Sequence, residues 1–266
     1  MAVAIIRGIS PLGVFLASAI LNNTKLAVVY ETREPAWTSI RKHIPQRLWP
    51  SLDRIDKFET FVSNGRMFQQ FVDHVKNKYG QESVRLIIDV SNYINKGEGP
   101  IENAGSRTCK SCYEHNVYGL AALMKFAEPL LQTNFSHRAD DLPGMAIVLS
   151  TNYLESTVSD EEKTKFLTQL GNTNNVHKTV DFRYSFRMTK TAQLALCRSI
   201  ANEFELTRRN AIAISVYPRF LSRINEPDAN FMEPDLTASY MWELITALSK
   251  EENGKFVDLE GVRMPE

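Results

Sequence analysis

Leu86-Ile87-Ile88-Asp89-Val90 and Ala146-Ile147-Val148-Leu149-Ser150 decide the fold class of this 266-residue chain. Each is an almost unbroken apolar run, the pattern of a parallel strand covered on both faces. Working outward, residues 2–6, 26–30, 58–62, 211–216 and 256–257 read as further short strands. Between them the apolar spacing changes to that of a helix. Phe68, Phe71, Val72 and Val75 mark one face of a helix over 67–78. Helices also read over 15–21, 111–131, 190–205 and 235–249, the last with Asp235 as N-cap. Strands alternating with helices predict an α/β fold, a doubly wound Rossmann-type sheet of about seven parallel strands.

Composition narrows the function classes. Lys plus Arg number 31 and Asp plus Glu number 31, so the net charge is zero and no basic footprint for nucleic acid or an anionic membrane exists. No apolar run approaches the ~18 residues of a spanning helix. Arg7 follows the apolar run Ala2-Val3-Ala4-Ile5-Ile6, the reverse of a secretory signal. The 3 cysteines cannot all pair, and reduced thiols in a cytoplasmic protein are expected. Repeats and linker compositions are absent, which predicts a single domain over 1–266. Three long polar connections, 34–56, 155–184 and 222–239, interrupt the strand-helix pattern. The last two follow the fifth and sixth strands, on the edge where open α/β sheets bind ligands, and are expected to be lid segments.

Four segments go further. Asn116-Val117-Tyr118-Gly119 is followed by Pro129-Leu130-Leu131. Gly144-Met145-Ala146-Ile147-Val148-Leu149-Ser150-Thr151 ends the fifth strand. Thr189-Lys190-Thr191-Ala192 runs into Arg198-Ser199-Ile200-Ala201-Asn202-Glu203, and Asn253-Gly254-Lys255-Phe256-Val257-Asp258 precedes Leu259-Glu260-Gly261. In this order the segments resemble the short-chain dehydrogenase/reductase family, nearest its C-factor or sniffer-like carbonyl reductase branch, over nearly the whole chain. The chain is also similar to fungal reductase/Diels–Alderase-type proteins in being a relative whose catalytic set is rewritten.

The resemblance implies an Asn-Ser-Tyr-Lys tetrad. Asn116 takes the first place, Thr151 (or Ser150) the second, and Lys190 the fourth. The third place, four residues before the lysine, is Phe186. Moving to Tyr184 fails, because two residues correspond to ~200° around a helix and Tyr184 would leave the face of Lys190. In the family that phenol delivers a proton to the developing alkoxide, a contribution of typically ~10²–10⁴ in rate. Phe186 keeps the ring and lacks the proton.

The resemblance also implies NADP(H) as cofactor. Its glycine loop appears as Arg7-Gly8-Ile9-Ser10-Pro11-Leu12-Gly13-Val14, with Leu12 and Val14 where glycines are usual and Gly13 displaced by one. Gly8, Ser10, Leu12, Gly13, Arg33, Ser91, Lys190 and Pro218 are the residues it assigns to the cofactor. Arg33 stands where a 2′-phosphate would be read. Ser91 belongs to Asp89-Val90-Ser91-Asn92, in place of the family's Asn-Asn-Ala-Gly.

Hydride transfer to an already protonated acceptor needs no phenol. The expected function is therefore an NADP(H)-dependent oxidoreductase acting on the imine or iminium of a small, largely apolar, natural-product-like molecule, with a coupled cyclisation as an extension into secondary metabolism. A cofactor-independent cyclase or isomerase, and a non-catalytic binding or regulatory relative, are the alternatives. The expected partners are a small-molecule substrate and further copies of the chain, as homodimer or homotetramer through the helices over 111–131 and 190–205, using Leu120, Leu123, Leu194 and Leu196. Nucleic acid, membrane and metal are not expected. Cys109-Lys110-Ser111-Cys112 is a lone pair with no second pair for zinc, and the 5 histidines show no ligand spacing.

Overall fold

Among the described residues seven parallel strands form one sheet in the order β3-β2-β1-β4-β5-β6-β7. They are β1 (Val3–Arg7), β2 (Ala27–Thr32), β3 (Asp56–Glu59), β4 (Val84–Asp89), β5 (Gly144–Leu149), β6 (Ala211–Tyr217) and β7 (Phe256–Asp258). The computed structural model describes residues 2–8, 10–32, 45–59, 65–91, 93, 105–131, 144–149, 184–218 and 234–264. The doubly wound sheet expected from the apolar runs is present. Crossing from β1 to its two neighbours β2 and β4 reverses the strand order, and the crevice at that reversal is where such sheets receive ligands.

The pleat explains the two cores. Along β1, Ala4 and Ile6 face one side with α1 (Pro11–Asn23) and α7 (Pro234–Ala247). Val3 and Ile5 face the other with α3 (Gly65–Tyr79), α5 (Gly119–Ala127) and α6 (Tyr184–Leu206). Alternate residues therefore feed opposite layers, as period two requires. A short helix α2 (Trp49–Leu52), inside the long second connection, covers α1. Among the described residues no helix is long and apolar enough to cross a membrane.

Several boundaries and faces differ from expectation. β3 starts at Asp56 rather than 58, because the Asp56 carboxylate is gripped from α3 by His74, Lys78 and Tyr79 at 2.8, 2.8 and 3.0 Å. Residues 60–62 of the expected strand lie outside the described residues. The catalytic-helix candidate begins at Tyr184, six residues before the expected 190, and residues 234–239 of the expected second lid belong to α7. The helix expected over 111–131 starts at Ser106 as α4 (Ser106–Tyr113), passes through one π turn (Glu114–Tyr118) and continues as α5. Leu120, Leu123 and Leu194, expected to face a second copy, are buried within the chain instead. Exposed apolar side chains on that side are Tyr113, Tyr118 and Met188. The remainder of the expected first lid, residues 155–183, lies outside the described residues.

Candidate functional site

The site forms where β1 and β4 end side by side. Arg7, the last residue of β1, is in register with Asp89, the last of β4. Both side chains are buried, and Arg7 Nη1 donates to Asp89 Oδ1 and Oδ2 at 2.9 Å and to Ser91 Oγ at 2.7 Å. The second guanidinium nitrogen donates to the carbonyl of His115 in the π turn. Asp89 further accepts from the Ser91 N–H at 3.0 Å and from Gln193 Nε2 at 3.3 Å. These bonds offset most of the lost hydration of the two charges, and among the described residues Arg7 Nε and Gln193 Oε1 are the two buried atoms of the cluster without a hydrogen-bond partner.

The π turn is explained by the same groups. A π turn breaks the α-helical ladder and leaves carbonyls needing other donors. His115 O takes Arg7, and Asn116 O takes Gln193 Nε2 at 2.7 Å. The Asn116 side chain is fully buried. Its Oδ1 accepts from the Tyr93 N–H, and its Nδ2 donates to Tyr93 O and to Thr189 Oγ1, each at 2.9 Å. Thr189 Oγ1 donates in turn to Phe186 O at 2.7 Å. Asn116 thus clamps the segment after β4 to the first turns of α6, and these bonds make it a positioning residue.

Lys190 and Phe186 stand one turn apart on α6, both buried. The Lys190 ammonium lies 5.4 Å from the centroid of the Phe186 ring and 3.2 Å from Ser91 O, to which it donates. Burial brings its pKa down to about 7, with Asp89 opposing and Arg7 reinforcing the fall. The ring beside this amine carries no hydroxyl. Next to it, on the neighbouring face of α6, Ser185, Met188 and Thr189 line a cavity of about 600 Å³ with Cys109, Tyr113 and Tyr118. Cys109 Sγ lies 3.2 Å from Ser185 Oγ, and all 3 cysteines are unbridged. Among the described residues no group of His, Cys, Asp or Glu could hold a metal ion.

The loop between β1 and α1 is built just as tightly. Gly8 adopts φ +96°, and a Cβ there would lie 2.5 Å from the Ser91 backbone. Ser10 caps α1, accepting the Gly13 N–H on its side chain at 3.1 Å, and Pro11 occupies the first turn. Leu12, expected to face cofactor, places its side chain in the core, as does Val14. Pro218 is buried just beyond β6. Arg33 and Thr151, with Ser150, lie outside the described residues.

No protein-family model and no curated protein matches the chain. Solved structures match it from end to end. An NADPH-bound carbonyl reductase from chicken fatty liver aligns with a TM-score of 0.76 at 15% identity over 99% of each chain. The fold is that of carbonyl reductases and short-chain dehydrogenases. The carbonyl reductase Sniffer of D. melanogaster has a TM-score of 0.72 at 17% identity over 99% of both chains. A double mutant of a Serratia marcescens short-chain dehydrogenase/reductase has a TM-score of 0.67 at 12% identity, over 97% of this chain and 95% of that one. Altogether 1047 solved chains match, too many for the fold alone to name a reaction.

A dinucleotide implied by this fold meets two different ends of the site. At the Lys190 end the buried amine donates to the Ser91 carbonyl, and the missing Cβ at Gly8 admits the Ser91 backbone. At the α1 end three of the usual donors are missing or taken. Pro11 has no N–H, Gly13 N–H serves Ser10 Oγ, and Val14 N–H serves Ser10 O at 3.3 Å. Arg7, Asp89, Thr189 and Gln193 carry the site's architecture and were not among the expected site residues. The one sequence signal for the first two is a charge of opposite sign closing each of two apolar strands.

Proposed function

We propose that this chain is an oxidoreductase that binds NADP(H) and reduces the imine or iminium of a small, largely apolar molecule. The observation that carries this reading is the Phe186 ring held against the Lys190 amine, a hydrocarbon where the fold's reductases would need a proton donor. When bound, the cofactor would supply hydride. Lys190 and Ser91 would hold its ribose, and Gly8 and Ser10 would face its phosphates.

The chain's own groups favour an acceptor that arrives charged. Phe186 cannot protonate an alkoxide, so ketone reduction lacks its acid. Lys190, with its pKa near 7, spends much of its time as a neutral amine and does not strongly repel a cationic carbon-nitrogen double bond. The Asp89 carboxylate and the Arg7 guanidinium paired with it act on Lys190 in opposite directions. Apolar side chains beside the site, Tyr113, Tyr118 and Met188, suit a hydrophobic substrate body, and cyclisation of the reduced product would extend the same chemistry. Self-association as a homodimer also belongs to the proposal, without Leu120, Leu123 and Leu194 as its contacts, because these are buried within the chain.

The test uses purified protein, NADPH and a cyclic imine, followed by loss of NADPH absorbance. Imine-dependent oxidation with no turnover of simple ketones supports the reading, and ketone turnover at equal rate overturns it. The closed α1 loop favours a second reading, a cofactor-independent cyclase or isomerase in the same pocket. Product formation without nucleotide distinguishes it.

A further inference from the structure

Tyr93 follows the end of β4, on the edge of the sheet that receives ligands. The Asn116 amide holds its backbone N–H and carbonyl and also reaches Thr189, so Tyr93 is tied to the turn of α6 that carries Lys190. One face of its ring stacks on the His115 imidazole, with centroids 4.2 Å apart and planes 14° from parallel. That imidazole is held in turn. Its Nδ1 lies 2.8 Å from the Ser111 carbonyl, and since a carbonyl only accepts, Nδ1 carries the proton. The His115 carbonyl takes the Arg7 guanidinium. With its backbone bonded and one face covered, the 37% exposure of Tyr93 comes from the opposite face and rim of the ring. An exposed aromatic is ordinary by itself, but one clamped through its backbone and backed by a second fixed ring is a preorganised π face.

We propose that the open face of Tyr93 seats a flat cationic acceptor, an aromatic or conjugated iminium. This names the substrate class for the reading that an iminium is reduced at this site, and rests on that reading. The face of an aromatic ring is the negative part of its quadrupole, so a planar cation gains both stacking and charge attraction there. A neutral planar ring gains the stacking alone. The Asp89 carboxylate is buried and engaged by Arg7, Ser91 and Gln193, which leaves the ring rather than that carboxylate to receive the positive charge. The phenolic hydroxyl plays no part in this contact.

The experiment titrates the protein calorimetrically with N-methylquinolinium and with quinoline, flat rings of similar size of which only the first is charged at mildly alkaline pH. NADP⁺ is present throughout and has no hydride to give. Wild type is expected to bind the cation about five-fold more tightly than the neutral ring. Tyr93→Phe should keep that preference, since the face survives, and Tyr93→Leu should lose it. Both variants change an exposed side chain and keep the backbone bonds to Asn116, so both should melt as wild type does. Equal affinity for the two probes in wild type, or binding of neither, overturns the proposal. So does a preference that survives in Tyr93→Leu, which would assign it to a carboxylate such as Glu114, or one that vanishes in Tyr93→Phe, which would assign it to the hydroxyl. A cation preference lost in Tyr93→Leu, with no imine turnover by wild type, upholds the face and removes the redox reading. Imine turnover without a cation preference does the reverse.

Discussion

Arg7 and Asp89 form a buried ion pair, 2.9 Å apart, across the adjoining ends of β1 and β4. The pair does more than neutralise itself. Through Arg7 it fixes the Ser91 hydroxyl and the His115 carbonyl, and through Asp89 it fixes Gln193 on α6. Three elements are therefore held to the ligand edge of the sheet by one charge pair, and Lys190 titrates in its field.

Arg7→Met leaves Asp89 charged in the interior with its main partner gone. The expected cost is about 3–5 kcal/mol of unfolding free energy, measured by urea denaturation. Arg7→Met with Asp89→Leu should recover a large part of that loss, because the desolvation cost of both charges disappears together. A double variant no more stable than the single one would show that the bonds to Ser91 and His115, not the charge pair, dominate.

Phe186→Tyr restores a phenol next to the Lys190 amine. The variant is expected to gain reduction of simple ketones by ~10²-fold or more over wild type, read as ketone-dependent NADPH oxidation. Imine turnover should change far less. An equal gain on both substrates contradicts the role assigned to the missing hydroxyl.

Lys190 gives a signed pH dependence. Its folded pKa is lowered to about 7 from 10.5, so between those values the unfolded chain binds a proton that the folded chain does not. Stability from this group is therefore fully present above about pH 10.5 and is lost as pH falls toward about 7. Relative to Lys190→Met, which cannot titrate, wild type should lose denaturant resistance steadily from alkaline to neutral pH. Parallel curves for the two proteins would mean that the amine keeps its ordinary pKa.

Asn116→Ala removes the clamp between the segment after β4 and α6. Tyr93 N–H and O and the Thr189 hydroxyl lose a partner, at about 1–3 kcal/mol for each group left buried and unbonded. The fall in melting temperature should be accompanied by faster amide exchange at Tyr93. A loss of activity with unaltered stability and exchange would instead make Asn116 a catalytic residue.

Local pattern was enough for the architecture. Apolar runs such as Leu86-Ile87-Ile88 and the helical spacing of Phe68, Phe71 and Val75 specify which face of each segment must be buried, and burial of those faces leaves few arrangements open. The spacing of Phe186 and Lys190 likewise follows from helix geometry alone, since residues four apart share a face. Ends of elements were less accessible, as β3 and α4 show, because their limits are fixed by side chains such as Asp56 that reach across to another element. What folding alone decided is the polar interior. Arg7, Asp89, Asn116 and Gln193 are far apart in the chain and unremarkable one by one, and their roles exist only where the ends of two strands, a π turn and a helix meet. The same holds for Tyr30, whose reach to the Gly8 carbonyl depends on the stacking of α1 over β2. Hydrophobic periodicity is written along one segment, whereas a hydrogen bond between distant residues depends on how several segments pack.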